Sequence, residues 1–245
     1  MNNDTAQEMS RGQFAAFVGV LIPNLPKGGF DAQYYIEHSE ELKNILHQAL
    51  VPQPIPAEVC NNVIADWQKF YQDNFDLTVD FSTVQIPNHQ KDFDRVIIIP
   101  QGLTIKRVVE VIVSKMNLYT WRSDNFVDDS DVPTNDRNPE DGSYAIRIRD
   151  RVEADEELRD KSANVLAKKK IVGITLLERL VLELKYFAET GKHLDIDNWT
   201  LCSGSRGSDG YVPCVFWCSG AGRLDVGWCF PGSSGGGLRS RAVVS

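Results

Sequence analysis

From Asn198 to Ser245 the chain contains no Lys, Glu, Gln or Met while Gly, Ser and Cys accumulate, yet two stretches inside this tail alternate with a period of two. In Val215-Phe216-Trp217-Cys218 and Leu224-Asp225-Val226-Gly227-Trp228-Cys229, one parity holds Val, Trp, Leu, Val and Trp. The other parity holds Phe, Cys, Asp, Gly and Cys. Successive strand side chains point to opposite faces, so the first set predicts one coherent buried face and argues against a flexible low-complexity tail. The outward set mixes an aromatic, an acid, thiols and a glycine, a combination that a strand selected for its own stability rarely carries. Trp217 and Trp228 are expected in the core, each with a partner for its indole N–H. Leu238–Val244 reads as a closing strand. Its Arg239 and Arg241 fit either a solvated outer face or buried hydrogen bonds to loop carbonyls.

Upstream, residues 30–50 and 57–75 read as helices, the second with Val59, Val63, Trp67, Phe70 and Tyr71 at helical spacing. The three prolines of V-P-Q-P-I-P (51–56) separate them. Val79–Ile86 and Asp94–Pro100 are β-branched and bounded by turn residues, which predicts two strands. Thr104 can cap a helix running to about Asn117, with Ile105, Val108, Ile112 and Met116 facing inward. Residues 124–141 are acidic and hold Pro133 and Pro139, the pattern of a long surface loop. Asp128, Asp129 and Asp131 lie close together there, but without the glycine and terminal glutamate of an EF-hand a solvated loop is expected. Ser143–Asp150 alternates as a half-buried strand does. Residues 152–170 are charged and helix-prone. Thr175 and Glu178 then form a capping box, Leu177, Leu180, Leu184 and Phe187 make one apolar stripe, and Gly191 stands where a C-cap glycine belongs.

Net charge is -8 and the pI is about 5.1, so a broad basic footprint for nucleic acid is absent. No stretch has the length of apolar sequence that a membrane span needs. The opening M-N-N-D-T-A-Q-E-M-S-R-G-Q lacks the pattern of an export signal, which makes the cytoplasm the default location; surface or virion display would need another route. Four of the five cysteines (Cys202, Cys214, Cys218, Cys229) fall in the tail. They do not form two C-x-x-C units, so free thiols are expected in preference to zinc or disulfides, with no metal and no cofactor.

The segments L-C-S-G-S-R (201–206), V-P-C-V-F-W (212–217), L-D-V-G-W-C-F-P (224–231) and L-R-S-R-A-V-V-S (238–245) resemble the variable regions of diversity-generating retroelement target proteins. The helix I-T-L-L-E-R-L-V-L-E-L-K-Y-F-A-E-T-G (174–191) sits where that family places its second helix. The resemblance spans roughly residues 79–245 and departs at Gly204-Ser205-Arg206, where the family's fold commonly has a glycine-tryptophan pair. It implies a C-type lectin-like fold of the formylglycine-generating-enzyme type. It also implies random replacement of template adenines, which turns AAC codons into codons that reach Gly, Ser, Asp, Tyr, Phe and Cys but not Lys, Glu, Gln, Met or Trp.

The expectation is therefore an α+β chain: an N-terminal helical segment (1–75), then a C-type lectin-like domain (79–245) with two main helices on a twisted, mainly antiparallel sheet. Its expected role is ligand binding without catalysis, the ligand being a protein or cell-surface molecule. Contacts are expected from Asp209, Tyr211, Cys214, Phe216, Cys218, Arg223, Asp225, Gly227, Cys229 and Phe230, because aromatic and arginine side chains give large contact area and Ser and Gly adapt to shape. The alternatives are a formylglycine-generating or other enzyme, for which Cys214 and Cys218 are the near pair of thiols, and a structural or assembly protein. The histidines (His38, His47, His89, His193) are scattered and none lies in the tail; His193 is expected to stabilise the helix C-terminus.

Overall fold

A computed structural model describes residues 37–41, 57–121 and 126–245 of the chain. The chain divides into two compact units, Met1–Gln53 and Pro54–Ser245. Of the helix expected over residues 30–50, only Glu37–Glu41 lies within the described residues. The second expected helix, α1 (Ala57–Phe75), belongs to the larger unit. Trp67, Phe70, Tyr71 and Phe75 are buried in its core. Tyr71 packs on Phe70 and Phe75 at 5.2 and 5.4 Å between ring centres, and its hydroxyl donates to the Ile98 carbonyl at 2.7 Å. The buried residues of α1 thus belong to the same core as the elements that follow it.

Strand β1 (Arg95–Ile99) pairs antiparallel with a later strand, β4 (Tyr144–Ile148), with Ile97 opposite Ile146. Both faces of β4 are buried, not one. Arg147, on the face expected to meet water, donates to the carbonyls of Pro87 at 2.7 Å and Phe93 at 3.4 Å. Val79–Ile86 is not a strand. Asp80 accepts from the backbone N–H of Ser82 at 2.8 Å, a local turn that competes with ladder pairing, although Phe81 and Val84 still reach the core. Helix α2 (Ile105–Lys115) is capped by Thr104 as expected. Asp129 of the acidic loop reinforces the cap, accepting from the N–H groups of Ile105 at 2.8 Å and Lys106 at 3.2 Å. A carboxylate satisfies orphan donors there and complements the helix dipole.

The chain leaves α2 directly into β2 (Asn117–Thr120). After the two-residue β3 (Thr134–Asn135) and β4 come the short helix α3 (Ala163–Lys168) and the long α4 (Leu176–Thr190). The tail supplies β5 (Trp199–Leu201), β6 (Ser205–Arg206), β7 (Val212–Cys218), β8 (Arg223–Cys229) and β9 (Leu238–Arg239). Five of these strands form one sheet in the order β2-β8-β7-β5-β9, while β3 pairs with β6. The β2–β8 and β5–β9 pairings are parallel, and the β8–β7 and β7–β5 pairings antiparallel. The sheet is mixed, where the expectation was a mainly antiparallel one. The closing segment keeps only β9 and two isolated bridges, Gly173 to Ala242 and Arg147 to Val244. Among the described residues, no helix is long and apolar enough to cross a membrane.

Helix α4 has the capping box of Thr175 and Glu178 and ends on Gly191 at φ 67°. Glu178 also takes two bonds from Arg137 of the acidic loop, at 2.6 and 2.9 Å. Beyond its apolar stripe, α4 buries Arg179 and Glu183 completely. Arg179 donates to Glu183 at 2.8 Å and to Asp195 at 2.8 Å. Asp195 also takes Arg241 at 2.6 Å and the hydroxyl of Thr200. Burial alone would lower the pKa of the Arg179 guanidinium, but Asp195 and Glu183 more than reverse that. Arg241 donates besides to the carbonyls of Arg151 and Val152 at 2.9 and 2.8 Å, so it serves buried carbonyls and is not solvated. Gly204 closes against the start of α4, where an added Cβ would stand 2.6 Å from the Gly173 carbonyl oxygen. Replacing Asp195 with Asn keeps the shape but leaves two buried arginines short of a charge. Such a change is expected to cost about 3 to 5 kcal/mol, measured as a lower urea midpoint at unchanged slope; a loss below about 1 kcal/mol would show the network to be dispensable.

Candidate binding face and its aromatic pocket

The register of the five-stranded sheet sorts its side chains into two faces. Val215 lies opposite Val226, and Trp217 opposite Leu224. Val215, Leu224 and Val226 are fully buried, and Trp217 and Trp228 pack half-buried against the same core. Full burial of such aliphatic side chains stabilises by about 1.5 to 3 kcal/mol each. Trp217 stacks on His193 at 3.3 Å between ring centres, and Phe187 stacks on the other side at 5.0 Å. His193 Nδ1 meets Glu183 at 2.9 Å, so the histidine is held inside the packing and does not serve as a helix cap.

The opposite face runs in rows across the sheet. Tyr119, Asp225, Phe216, Trp199 and Leu238 make one row by pairing register. Phe216 lies on Trp199 at 3.7 Å. Arg223 pairs with Asp225 at 2.7 Å and covers the ring of Tyr119 at 4.0 Å. Phe230, 64% exposed, rests on Tyr211 at 4.5 Å. Phe216, Cys218, Arg223, Asp209, Tyr211, Cys229 and Phe230 are at least partly exposed, as the parity implied. Three expected contact residues are not: Cys214, Asp225 and Gly227 are buried. Cys214 is covered by a second small core with Leu201, Val212 and Ala163 of α3. Asp225 lies beneath its own ion pair.

Next to that second core the face sinks into a pocket of about 610 Å³. Trp121, Trp199, Tyr211 and Trp228 supply its aromatic lining, Gly227, Cys214 and Cys229 also line it, and the run Ser234–Leu238 forms part of its wall. Gly227 is what keeps it open. A Cβ at that position would lie 3.1 Å from Trp199, 3.3 Å from Trp121 and 3.3 Å from the Cys214 sulfur. A glycine inside a strand often marks such a close approach. Five of the expected site residues, Asp209, Tyr211, Cys214, Gly227 and Cys229, meet here. Phe216, Cys218, Arg223, Asp225 and Phe230 are not among its lining residues. Trp121 and Trp199 were not anticipated. Trp121 follows a parallel strand that no turn announces, and Trp199 sits in a three-residue strand too short to alternate.

The Cys214 and Cys229 sulfurs are 3.2 Å apart and both thiols are free. Cys214, and not the Cys214–Cys218 spacing, makes the near pair with Cys229 across the β7–β8 ladder. A hydrogen bond between the two pushes Cys214 up, with burial adding to it, and holds Cys229 below an ordinary thiol. Burial pushes Cys202 up as well. Among the described residues no three His, Cys, Asp or Glu side chains converge as a metal-binding group. A second, polar pocket of about 900 Å³ lies elsewhere, between Thr83–Asn88, Asp136–Asn138, Asp141–Ala145 and the terminal Val244 and Ser245.

Thiolate, not thiol, is the nucleophile. Limited iodoacetamide at pH 8 is therefore expected to alkylate Cys229 ahead of Cys218 and to spare Cys202 and Cys214 in the folded chain, as peptide mass mapping reads out. Labelling of Cys214 at the rate of Cys229 would mean that the pair is open to solvent.

No family model, curated protein or solved structure matches this chain.

Proposed function

We propose that this chain is a ligand-binding protein, one that presents an exchangeable contact surface on a C-type lectin-like scaffold and is diversified by a retroelement. The observation that carries the reading is the division of labour along β7 and β8. Val215, Leu224 and Val226 are fully buried on one face, while Phe216, Cys218 and Arg223 on the other are partly exposed. A surface of this kind can change while the frame beneath it stays. The corrected exchangeable set is Asp209, Tyr211, Phe216, Cys218, Arg223, Cys229 and Phe230. Its residue types include the aromatic and arginine groups that dominate binding hot spots. Trp199 also stands on this face, and adenine replacement does not reach tryptophan. In this reading it is an invariant anchor among variable neighbours. Helices α2 and α4, packed with the sheets, support the scaffold assignment, while the parallel β2–β8 and β5–β9 pairings depart from the mainly antiparallel sheet expected of it.

Binding is favoured over catalysis by the makeup of the pocket. Its described lining offers thiols and a carboxylate but no histidine to act as their base. The partner is a protein or a cell-surface molecule.

Two measurements test this. Beside the gene, a near-copy of the bases encoding the tail is expected, with adenines at the Phe216, Cys218, Arg223 and Phe230 codons, next to a reverse-transcriptase gene. In the protein, Cys218→Ser and Phe230→Ser are each expected to shift stability by only about ±0.5 kcal/mol, whereas Leu224→Ala costs about 2 to 5 kcal/mol, both from thermal melts. If the surface pair unfolded the chain as badly as Leu224→Ala, the surface would be structural and the reading would fail.

A further inference from the structure

We infer that the aromatic pocket takes a fully alkylated ammonium group, of the kind carried by choline or a trimethylated amine. This rests on the reading of the outward face as a binding surface and adds the chemistry of its ligand. Two indoles and a phenol of the outward face, from Trp121, Trp199 and Tyr211, line one cavity, which Trp228 of the inward parity also reaches. Aromatic rings attract a cation through the negative potential of their π-faces, and tryptophan does so most strongly. Among the described lining residues the one charged side chain is Asp209, an exposed carboxylate in the loop before Tyr211. Among the described lining residues there is no lysine, arginine or histidine, so they offer an anion no positive charge.

Hydrogen-bond demand separates an alkylated ammonium from a bare one. A primary ammonium carries three N–H donors, each needing a partner once out of water. Two carbonyls in the glycine-rich wall are already engaged: Gly235 O accepts from Leu238 N at 2.8 Å, and Gly237 O accepts from Trp199 N at 2.7 Å. Asp209 Oδ1 already accepts from Tyr211 N at 3.0 Å. An alkylated ammonium brings charge without N–H groups and so asks only for the ring faces and a nearby carboxylate. Gly227 keeps the cavity clear, because a side chain there would meet Trp199, Trp121 and the Cys214 sulfur at 3.1 to 3.3 Å. At about 610 Å³ the pocket also has room for the chain that bears the head group.

The test compares choline with 3,3-dimethylbutan-1-ol, its uncharged carbon isostere, by calorimetry and tryptophan fluorescence on the full chain. Choline is expected to bind and the isostere to bind at least about threefold to tenfold more weakly, the range that a cation on aromatic faces contributes. Trp121→Ala, at a residue 64% exposed, is expected to weaken choline without lowering the melting temperature. Asp209→Asn is expected to weaken choline and leave the isostere unchanged. Equal binding of the two probes, or tighter binding of the isostere, overturns the ammonium assignment, and so does the absence of choline binding at millimolar concentration. None of these results touches the tail's template or the stability contrast between its two faces, so failure here is distinguishable from failure of the binding-face reading.

Discussion

Asp195 accepts from Arg179, Arg241 and Thr200 in a place without solvent, and the positions of α4, β5 and the end of the chain all follow from that. An isolated buried carboxylate would be prohibitive, and so would either arginine alone. Together Arg179 and Arg241 balance Asp195 and Glu183; Arg241 also donates to Thr200 and to the Arg151 and Val152 carbonyls, while Arg179 Nη2 is buried without a partner. The backbone of Asp195 extends the arrangement: its carbonyl accepts from Trp217 N and its N–H donates to Val152 O, each at 3.0 Å. One residue thereby ties the core helix to the strand that carries the binding face. A network like this adds no more to net stability than a well-packed apolar replacement, but it favours one arrangement of its members. It holds the frame in register while the other side of the sheet is left free to vary.

How much of this was legible depended on whether the cause was local. The capping box at Thr175 and Glu178, the C-cap at Gly191 and the Thr104 cap need only residues within a turn of one another, and all were readable. The parity of β7 and β8 was readable too, because alternation is itself a short-range pattern. What escaped were contacts fixed by distant partners. Arg179 and Glu183 look like an ordinary exposed i,i+4 pair until Asp195 and Arg241 close over them. Asn117–Thr120 joins the sheet in parallel with β8, a pairing that no hairpin announces. Val79–Ile86 has strand-like composition, but the Asp80 turn and the burial of Phe81 and Val84 left it as packed coil.

The candidate site failed in the sequence for a related reason. Parity assigns a face, not an exposure. Cys214, Asp225 and Gly227 were correctly placed on the outward face, yet α3, the Arg223 side chain and the flanking rings cover them. The second small core around Cys214 gives this face an apolar floor beside a more exposed end at Phe216, Cys218 and Arg223.

That gradient along a single sheet face has a functional consequence. A pocket must combine rings held firmly enough to keep their geometry with an opening that a ligand can enter. Trp199 is fixed from three sides, by pairing in β5, by Phe216 against its ring and by the Gly237 carbonyl on its N–H. Trp121, by contrast, is mostly exposed beyond the end of β2 and is linked to the sheet through one N–H bond to Val226 O at 3.4 Å and the edge of Tyr119 at 5.7 Å. One wall of the pocket is therefore part of the frame and the facing wall is loosely held. Affinity would then be set less by the total area of the face than by the cost of ordering Trp121 over a ligand already seated against Trp199.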